Sequence, residues 1–279
     1  MSTELFDREA AEEGRAGAFE YISASRLNCW LRCPLAFKLR YIDGIRSPPS
    51  PALFVGKRVH AALERFYRNR QFDVTMAPDR LQQWLAESWG DAAAAEGVAF
   101  ETSADEDAHR GQAVALIKAY LEKIPQTEPK PLAVESSIDA PLIDLFTGEN
   151  LGIPLVGVVD LVLPEAVGPV IVDFKTAAKS GPPLEISHEI QLSCYAYLFR
   201  PLSPVDEAGL EIRSLVKTKT PQIQFHRYPA RSERHFRRLF AVIRAYLDDL
   251  HSDRFVFRPS WGCASCEFCD GPCKGWAGA

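Results

Sequence analysis

The chain of 279 residues has a formal net charge of −5, with 47% hydrophobic and 25% charged residues. This composition is that of an ordinary soluble globular protein, and no apolar run approaches the roughly 20 residues that a membrane span needs. Residues 1–20 are acidic and contain no hydrophobic signal core, so we expect a flexible tail on a cytoplasmic protein. Two stretches, SLVKTKT and ARSERHFRRLFAVIRAY, are locally basic, and they permit a nucleic-acid partner without requiring one.

The predicted elements change from helices to strands near the middle of the chain. Helices are predicted over residues 23–42, 52–70, 79–96 and 106–124, the first beginning at a serine cap, Ser23 or Ser25. Short β-branched stretches then predict strands over 132–143, 153–164, 168–176, 209–218 and 221–229, with helices over 186–200 and 230–251. This order indicates an α/β or an α+β domain, of which we favour α/β, with a helical N-terminal part (21–130), a core (131–252) and a cysteine-rich segment (253–279).

The stretch PVIVDFKT places a carboxylate and an ammonium on one side of a strand end, because Asp173 and Lys175 are two residues apart. The preceding strand carries Asp160, and a short turn at 164–169 would bring it close to both. Paired carboxylates repel each other unless a cation neutralises them, and Mg²⁺ or Mn²⁺ accepts such oxygen ligands. The alternative is a structural Asp173–Lys175 ion pair, which is the better explanation for a D-x-K motif standing alone.

Four of the seven cysteines lie within eleven residues near the C-terminus, at Cys263, Cys266, Cys269 and Cys273. In a reducing cytoplasm this density favours metal ligation over disulfides. Zinc sites normally use two regular pairs, whereas an iron–sulfur cluster needs four thiolates and tolerates a remote one such as Cys33. The cysteine spacing alone therefore leaves a zinc site and an iron–sulfur cluster as alternatives. Cys29 and Cys194 are expected to be buried on helices.

The segments GKRVHAALERF, GVVDLV, VDFKT and QLSCY occur in the order and approximate spacing of the PD-(D/E)XK nuclease superfamily. The chain most resembles the RecB-like branch, which includes the exonucleases of CRISPR adaptation and the AddB-type nuclease domain, over about residues 21–276. The resemblance implies a restriction-endonuclease-like core with a mixed central sheet. It also implies a set of metal ligands and a catalytic lysine: His60, Asp160, Asp173, the backbone carbonyl of Phe174, and Lys175.

Two further site residues follow from the same resemblance. Gln191 and Tyr195, four residues apart on one helix face, match the family's Q-x-x-x-Y motif and would line the substrate channel. Glu64, one turn after His60, is either a partner of that histidine or a surface charge. A histidine on a helix is commonly just packed or solvated, and the surrounding G-x-x-x-H-x-x-L-E pattern is what favours a ligand.

The resemblance also assigns the cysteines. In the RecB-like family a cysteine before a proline in the N-terminal helix joins three C-terminal cysteines around a [4Fe-4S] cluster. Here this implies Cys33, Cys263, Cys266 and Cys273 as ligands. Cys269 is the less favoured alternative to Cys273, because only a short stretch separates it from Cys266. Such a cluster would close a very long loop and staple the two ends of the chain together.

The site residues and the resemblance together predict a metal-dependent DNA nuclease that uses Mg²⁺ or Mn²⁺. The resemblance further implies exonuclease action on single-stranded ends and a [4Fe-4S] cluster. The alternative is a non-catalytic DNA-binding subunit, which the intact set of site residues disfavours. The chain has no Walker motif, so a helicase or CRISPR-adaptation partner would be a separate chain, and a homo-oligomer is plausible by resemblance.

Candidate DNA-backbone contacts are Lys217 and Lys219 on one predicted strand face, and Arg231, Arg234, Arg237, Arg238 and Arg244 on the last helix. A solvated helix face is the commoner explanation for such arginines.

Overall fold

A five-stranded mixed β-sheet forms the centre of the computed structural model, which describes residues 16–181 and 185–278. The strands lie in chain order: β1 (Ala133–Ile143), β2 (Asn150–Leu163), β3 (Val170–Ala177), β4 (Gly209–Val216) and β5 (Gln222–Pro229). Neighbours are antiparallel except β3 and β4, which are parallel and therefore need a crossover helix between them. The predicted α/β fold, with a mixed central sheet flanked by helices, is confirmed.

Between residue 24 and the sheet the described chain forms six helices: α1 (Ala24–Arg32), α2 (Pro34–Tyr41), α3 (Pro51–Gln71), α4 (Pro78–Glu87), α5 (Trp89–Glu96) and α6 (Ser103–Lys123). The crossover helix is α7 (Glu185–Phe199), and α8 (Glu233–His251) and the short α9 (Pro272–Gly275) follow β5. Side-chain caps fix several of these starts: Ser23, Ser50 and Thr102 each accept a hydrogen bond from a backbone N–H in the first turn.

The helices cover both faces of the sheet. Apolar side chains of α3, α4 and α6 pack with Val172 and Phe174 of β3, whereas α7 packs with Ile171 on the opposite face. Because both faces are covered, β3 is apolar without interruption from Val170 to Val172, as expected for a central strand. In the described ranges, no helix combines the length and apolarity that a bilayer span requires.

The predicted single helix over residues 23–42 is wrong, because the chain breaks at Cys33. This residue is extended (φ −164°, ψ 111°) and Pro34 begins α2. A proline disfavours helical conformation in the residue before it and is well accommodated at the first helical position. The predicted helix over 79–96 is likewise divided, at Ser88.

Two other expectations concern the ends of elements. The placement of Lys217 and Lys219 on a strand face is wrong, because β4 ends at Val216 and the N–H of Thr218 bonds back to the Val216 carbonyl in a turn. Of the predicted acidic tail, residues 1–15 lie outside the described residues. Within the remainder of that stretch, Ala18 is fully buried.

Candidate metal and catalytic centre

The two predicted carboxylates lie across from one another where β2 and β3 meet. Leu161 is paired with Val172, and the antiparallel register therefore places Asp160 opposite Asp173. Both aspartates are buried. Asp160 Oδ2 accepts a 2.7 Å hydrogen bond from the backbone N–H of Phe174, which orients that carboxylate towards the end of β3.

The predicted histidine reaches this point from α3. Gly56 and His60 are one turn apart, and a Cβ at Gly56 would lie only 2.8 Å from Oγ1 of Thr176. The missing side chain therefore allows α3 to approach the end of β3 closely. His60 Nδ1 lies 3.8 Å from Asp160 Oδ2, and its ring stands edge-on to that of Phe174, with centroids 6.1 Å apart.

The Asp173 carboxylate contacts the remaining predicted site residues, Lys175, Gln191 and Tyr195. The Lys175 amine lies 2.9 Å from Asp173 Oδ1 and 2.7 Å from Oδ2. From α7, the Gln191 amide donates to Asp173 Oδ1 at 3.0 Å, and the Tyr195 hydroxyl lies 3.4 Å from the same oxygen. Gln191 also donates to the Tyr195 hydroxyl at 2.7 Å. The Q-x-x-x-Y motif thus meets the D-x-K motif directly.

Close packing of α7 on β2 makes this meeting possible. A Cβ at Gly157, the glycine of GVVD, would lie 2.7 Å from a methyl carbon of Leu198. Leu192 and Tyr195 are buried on the same side of the sheet, against Ile171. The glycines of both motifs therefore serve the approach of helices to the sheet, which brings their polar neighbours together.

The electrostatics of the centre favour a bound cation. Burial, and then the negative charge of Asp173, raises the pKa of Asp160 well above its ordinary range. Burial lowers the pKa of His60 from its ordinary value, so the imidazole is neutral near pH 7, the form that binds metals. Asp173 Oδ2 is buried and, although close to Lys175, accepts no hydrogen bond of acceptable geometry in the described part of the chain. The carboxylate oxygens and the imidazole nitrogen of this centre are ligand atoms that suit a hard divalent ion.

Glu135 also lies at the centre and was missed by the sequence reasoning. One potential ligand atom each from His60, Glu135 and Asp160 lies within 4.8 Å of the others. The β1–β2 register pairs Val134 with Leu161, which puts Glu135 opposite Asp160. Its φ of 41° is unusual for a residue other than glycine, and the pKa of its carboxyl is raised, first by burial.

Glu64, left open between two roles, pairs with Arg68 at 2.7 Å in an i,i+4 ion pair. Its negative charge also contributes to the raised pKa of Glu135. It therefore influences the centre through Glu135.

A buried polar network supports Phe174 from beneath. The Tyr67 ring stacks on Phe174 (centroids 5.9 Å, 23°) and the Tyr120 ring meets it edge-on (5.7 Å, 88°). Arg213 donates to both tyrosine hydroxyls, at 2.9 and 2.7 Å, and to Glu128 at 2.6 Å. This network fixes the backbone of the residue whose carbonyl is a predicted metal ligand.

The four predicted cluster cysteines line one small cavity. Its volume is about 40 Å³, and the lining includes Cys33, Cys263, Cys266 and Cys273. Cys269 is absent from the described lining. Burial, and then the neighbouring cysteine sulfurs, beginning with Cys33, raises the pKa of Cys273. Among residues 16–181 and 185–278, no three of these sulfurs lie within 4.8 Å of one another.

Backbone N–H groups approach two of these sulfurs. The N–H of Arg258 lies 3.4 Å from Cys33 Sγ, and the N–H of Ser260 lies 3.4 Å from Cys263 Sγ. The break at Cys33 thus turns its sulfur towards the C-terminal segment. Cys29 and Cys194 are buried in α1 and α7, as predicted.

The predicted basic surface is largely neutralised within the chain. Local ion pairs involve four of the five arginines: Arg231 with Glu185, Arg237 with Glu233, Arg238 with Glu189, and Arg244 with Asp144. The Lys217 amine donates to the Ala52 carbonyl at 3.1 Å. For Arg237, Arg238 and Arg244 this pairing favours the solvated-face explanation over a DNA track along α8. The placement of Arg231 on the last helix is wrong, because α8 begins at Glu233 and the Arg231 side chain is buried.

The comparisons with known proteins agree with this architecture. No curated protein matches the sequence significantly. A crystal structure from Eubacterium rectale, named "Putative exonuclease", is 16% identical and has a TM-score of 0.59, over 94% of this chain and 90% of that one. The crystal structure of SSO0001, also 16% identical, covers 95% and 93% of the two chains, but its TM-score of 0.42 is too low to carry an argument. The first shows a shared fold. The model of the PD-(D/E)XK nuclease superfamily matches residues 21–270, and the chain belongs to that superfamily.

Proposed function

We propose that this protein is a metal-dependent DNA exonuclease that acts on single-stranded ends. Membership of a nuclease superfamily implies DNA as the substrate and a divalent metal as cofactor. The observation that carries the proposal is a pair of adjoining contacts at the end of β3. His60 lies 3.8 Å from Asp160, and the β2–β3 register places Asp160 opposite Asp173, which lies within 3.0 Å of both Lys175 and Gln191. The similar protein named an exonuclease supports the exonuclease type.

In this proposal His60, Asp160, Asp173 and the Phe174 carbonyl would hold Mg²⁺ or Mn²⁺, and Glu135 lies close to the His60 and Asp160 ligand atoms. Such an ion would supply activation of the attacking water and neutralisation of the charge that develops on the phosphate. Lys175 donates to Asp173 and holds its positive charge beside the reacting oxygens, where it stabilises the transition state. Gln191 fixes both Asp173 and Tyr195, so the carboxylate cannot rotate away.

We further propose that the cysteines hold a [4Fe-4S] cluster that joins the ends of the chain. Cys33, Cys263, Cys266 and Cys273 line one cavity, which supports them as ligands over Cys269. Brown protein with bound iron and sulfide would support the cluster; colourless protein with zinc would overturn it.

The assignment to the RecB-like branch belongs to the same proposal. It is supported by the joint occurrence of the α3 histidine, the Q-x-x-x-Y pair and the four cysteines around one cavity. A helicase or a CRISPR-adaptation protein would then be the protein partner of this chain.

The test is cleavage of end-labelled single-stranded DNA with Mn²⁺. We expect Lys175→Ala to reduce the rate by at least about a hundredfold, and EDTA to stop the reaction. Lys118→Ala, a change at an exposed lysine of α6, is the matched control and should cleave normally. If folded wild-type protein binds DNA but never cuts it, the non-catalytic subunit is the correct assignment.

A further inference from the structure

A second concavity adjoins the proposed centre at the end of β3. Its volume is about 370 Å³, within the range of about 300–1,000 Å³ typical of small-ligand pockets. The side chains that line it include Lys175, Thr176, Lys179, Ser180, His188 and Ser214. Its described lining contains amines, an imidazole and hydroxyls but no carboxylate. Such a lining suits an anion that accepts several hydrogen bonds.

The walls of this pocket are anchored to the sheet. Ser214 on β4 is the register partner of Lys175 on β3. Beyond β3, the Ala177 carbonyl accepts a 2.7 Å hydrogen bond from the N–H of Lys217. The N–H of Gly181 donates to Oε1 of Gln224 on β5, at 3.2 Å. The stretch from Ala177 to Gly181, which carries Lys179, is therefore held at one end by the residue after β4 and at the other by β5.

His188 connects the pocket to the proposed centre. It lies three residues before Gln191 on α7, and residues at this spacing are neighbours on a helix surface. It is near enough to Lys175 and Asp173 to interact with their charges. A DNA strand bound at Gln191 and Lys175 would therefore extend directly into the pocket.

The pocket contains a positive charge that no acid among the described residues neutralises. Lys175 is paired with Asp173, but Lys179 forms no ion pair with any described residue. Burial lowers the pKa of His188, so its imidazole contributes a hydrogen-bonding group to the pocket. A terminal phosphate monoester carries a charge of about −2 near neutral pH and three free oxygens, whereas an internal phosphodiester carries −1. The pocket lining offers several hydrogen-bond donors and no carboxylate, which favours a terminal phosphate over an internal phosphodiester.

We propose that this pocket binds the terminal phosphate of the DNA strand being degraded, so that the enzyme selects phosphorylated ends. Lys179 and His188 hold the phosphate, and Lys175 lies between it and the cleaved bond. The inference rests on the proposed exonuclease function and adds a preference for one kind of strand end.

The experiment measures kcat/KM with Mn²⁺ on oligonucleotides that differ only in one end: 5′-phosphate, 3′-phosphate, or hydroxyl at both ends. We expect wild-type protein to prefer one of the two phosphorylated substrates by about tenfold or more, which also identifies the end that enters the pocket. Lys179→Gln and His188→Gln should each reduce that ratio by severalfold. Lys118→Gln, an exposed change on α6, should preserve it.

Two outcomes separate the proposals. Cleavage of all three substrates with equal kcat/KM, or a ratio unchanged in both pocket variants, overturns the phosphate pocket and leaves the nuclease intact. Absence of any cleavage overturns the proposed function. In that case the binding affinity of the same oligonucleotides, measured by fluorescence anisotropy, tests the phosphate pocket. The pocket proposal is supported if phosphorylated ends bind more tightly and Lys179→Gln removes the difference. Any other result overturns it.

Discussion

Gly56 of α3 lies directly against Thr176 at the end of β3, and a Cβ on the glycine would come within 2.8 Å of the threonine Oγ1. The contact lies one helical turn from His60 and three residues from Asp173. It therefore sets the distance between the predicted imidazole ligand and the two carboxylates. The glycine of the G-x-x-x-H motif has a packing role in this position.

Gly56→Ala should consequently weaken metal binding more than it weakens the fold. Alanine favours a helix by about 1 kcal/mol over glycine, which offsets part of the crowding. We expect the melting temperature to change little and the Mn²⁺ affinity to fall severalfold, measured by the Mn²⁺-induced shift in melting temperature. The double variant Gly56→Ala/Thr176→Ala removes the clashing oxygen and should recover the affinity of Thr176→Ala alone. Failure of this rescue would contradict the packing role.

Glu135→Gln should reduce the affinity for Mn²⁺ by about tenfold, because a carboxylate within 4.8 Å of the His60 and Asp160 ligand atoms either binds the ion or adds to its attraction. The measurement is a Mn²⁺ titration followed by thermal shift. Glu64→Gln is the matched control, since this carboxylate is already paired with Arg68. Equal effects of the two substitutions would show that only general negative charge matters.

Local rules account for the residues that the sequence reasoning placed well. A short turn fixes the β2–β3 hairpin and hence the Asp160–Asp173 approach, and helical spacing fixes Gln191 with Tyr195. The sequence reasoning missed Glu135 because its position depends on the register between β1 and β2. It also depends on a positive φ at Glu135 that no local sequence pattern indicates.

His188 and the break at Cys33 were missed for different reasons. His188 shares a helix face with Gln191, but the pocket that it lines also needs Ser214 of β4 and the loop after β3, which are distant from it in sequence. The break, in contrast, was readable from Pro34, since a proline disfavours helical conformation in the residue before it.

Metal affinity should rise with pH in the acidic range. Burial and the charge of Asp173 raise the pKa of Asp160 in the folded, metal-free protein. Between the ordinary aspartate value of about 3.9 and this raised value, the folded protein holds a proton that the unfolded chain has lost. The stability of the metal-free protein therefore falls as pH rises through that window.

Metal binding must displace this proton, so the Mn²⁺-induced increase in melting temperature should grow with pH across the same window and level off above it. Melting curves with Mn²⁺ and with EDTA, recorded from about pH 4 to pH 8, measure this. Asp160→Asn should show a smaller shift with weaker pH dependence. A shift in the wild-type protein that does not vary with pH would argue against Asp160 as a ligand.

The cysteines allow a matched comparison within one segment. Cys273→Ser should lower the bound iron and sulfide substantially, whereas Cys269→Ser should retain them, because only the former lines the shared cavity in the described chain. Cys33→Ser should behave like Cys273→Ser, and Cys29→Ser should retain the cluster, since Cys29 is buried elsewhere in α1. Iron and sulfide analysis of anaerobically purified variants decides. Loss of iron in Cys269→Ser with retention in Cys273→Ser would reverse the assignment.

The buried network beneath Phe174 should be essential for stability. Glu128→Gln removes the carboxylate that receives Arg213 and the Tyr67 hydroxyl, and leaves a buried guanidinium without this partner. Breaking a buried ion pair from one side typically costs about 3 kcal/mol or more, so we expect a loss of that size in the free energy of unfolding, measured with urea.

Tyr67→Phe tests the same network more gently. It keeps the ring that stacks on Phe174 but removes a hydroxyl that bonds Arg213, Tyr120 and Glu128, so a loss of about 1–2 kcal/mol is expected. Arg227→Gln breaks the exposed pair with Glu165 and should cost less than about 1 kcal/mol. Because the network supports the backbone of a proposed ligand, Tyr67→Phe should also lower Mn²⁺ affinity, whereas Arg227→Gln should not. Equal Mn²⁺ affinities in the two variants would limit the network to a role in folding.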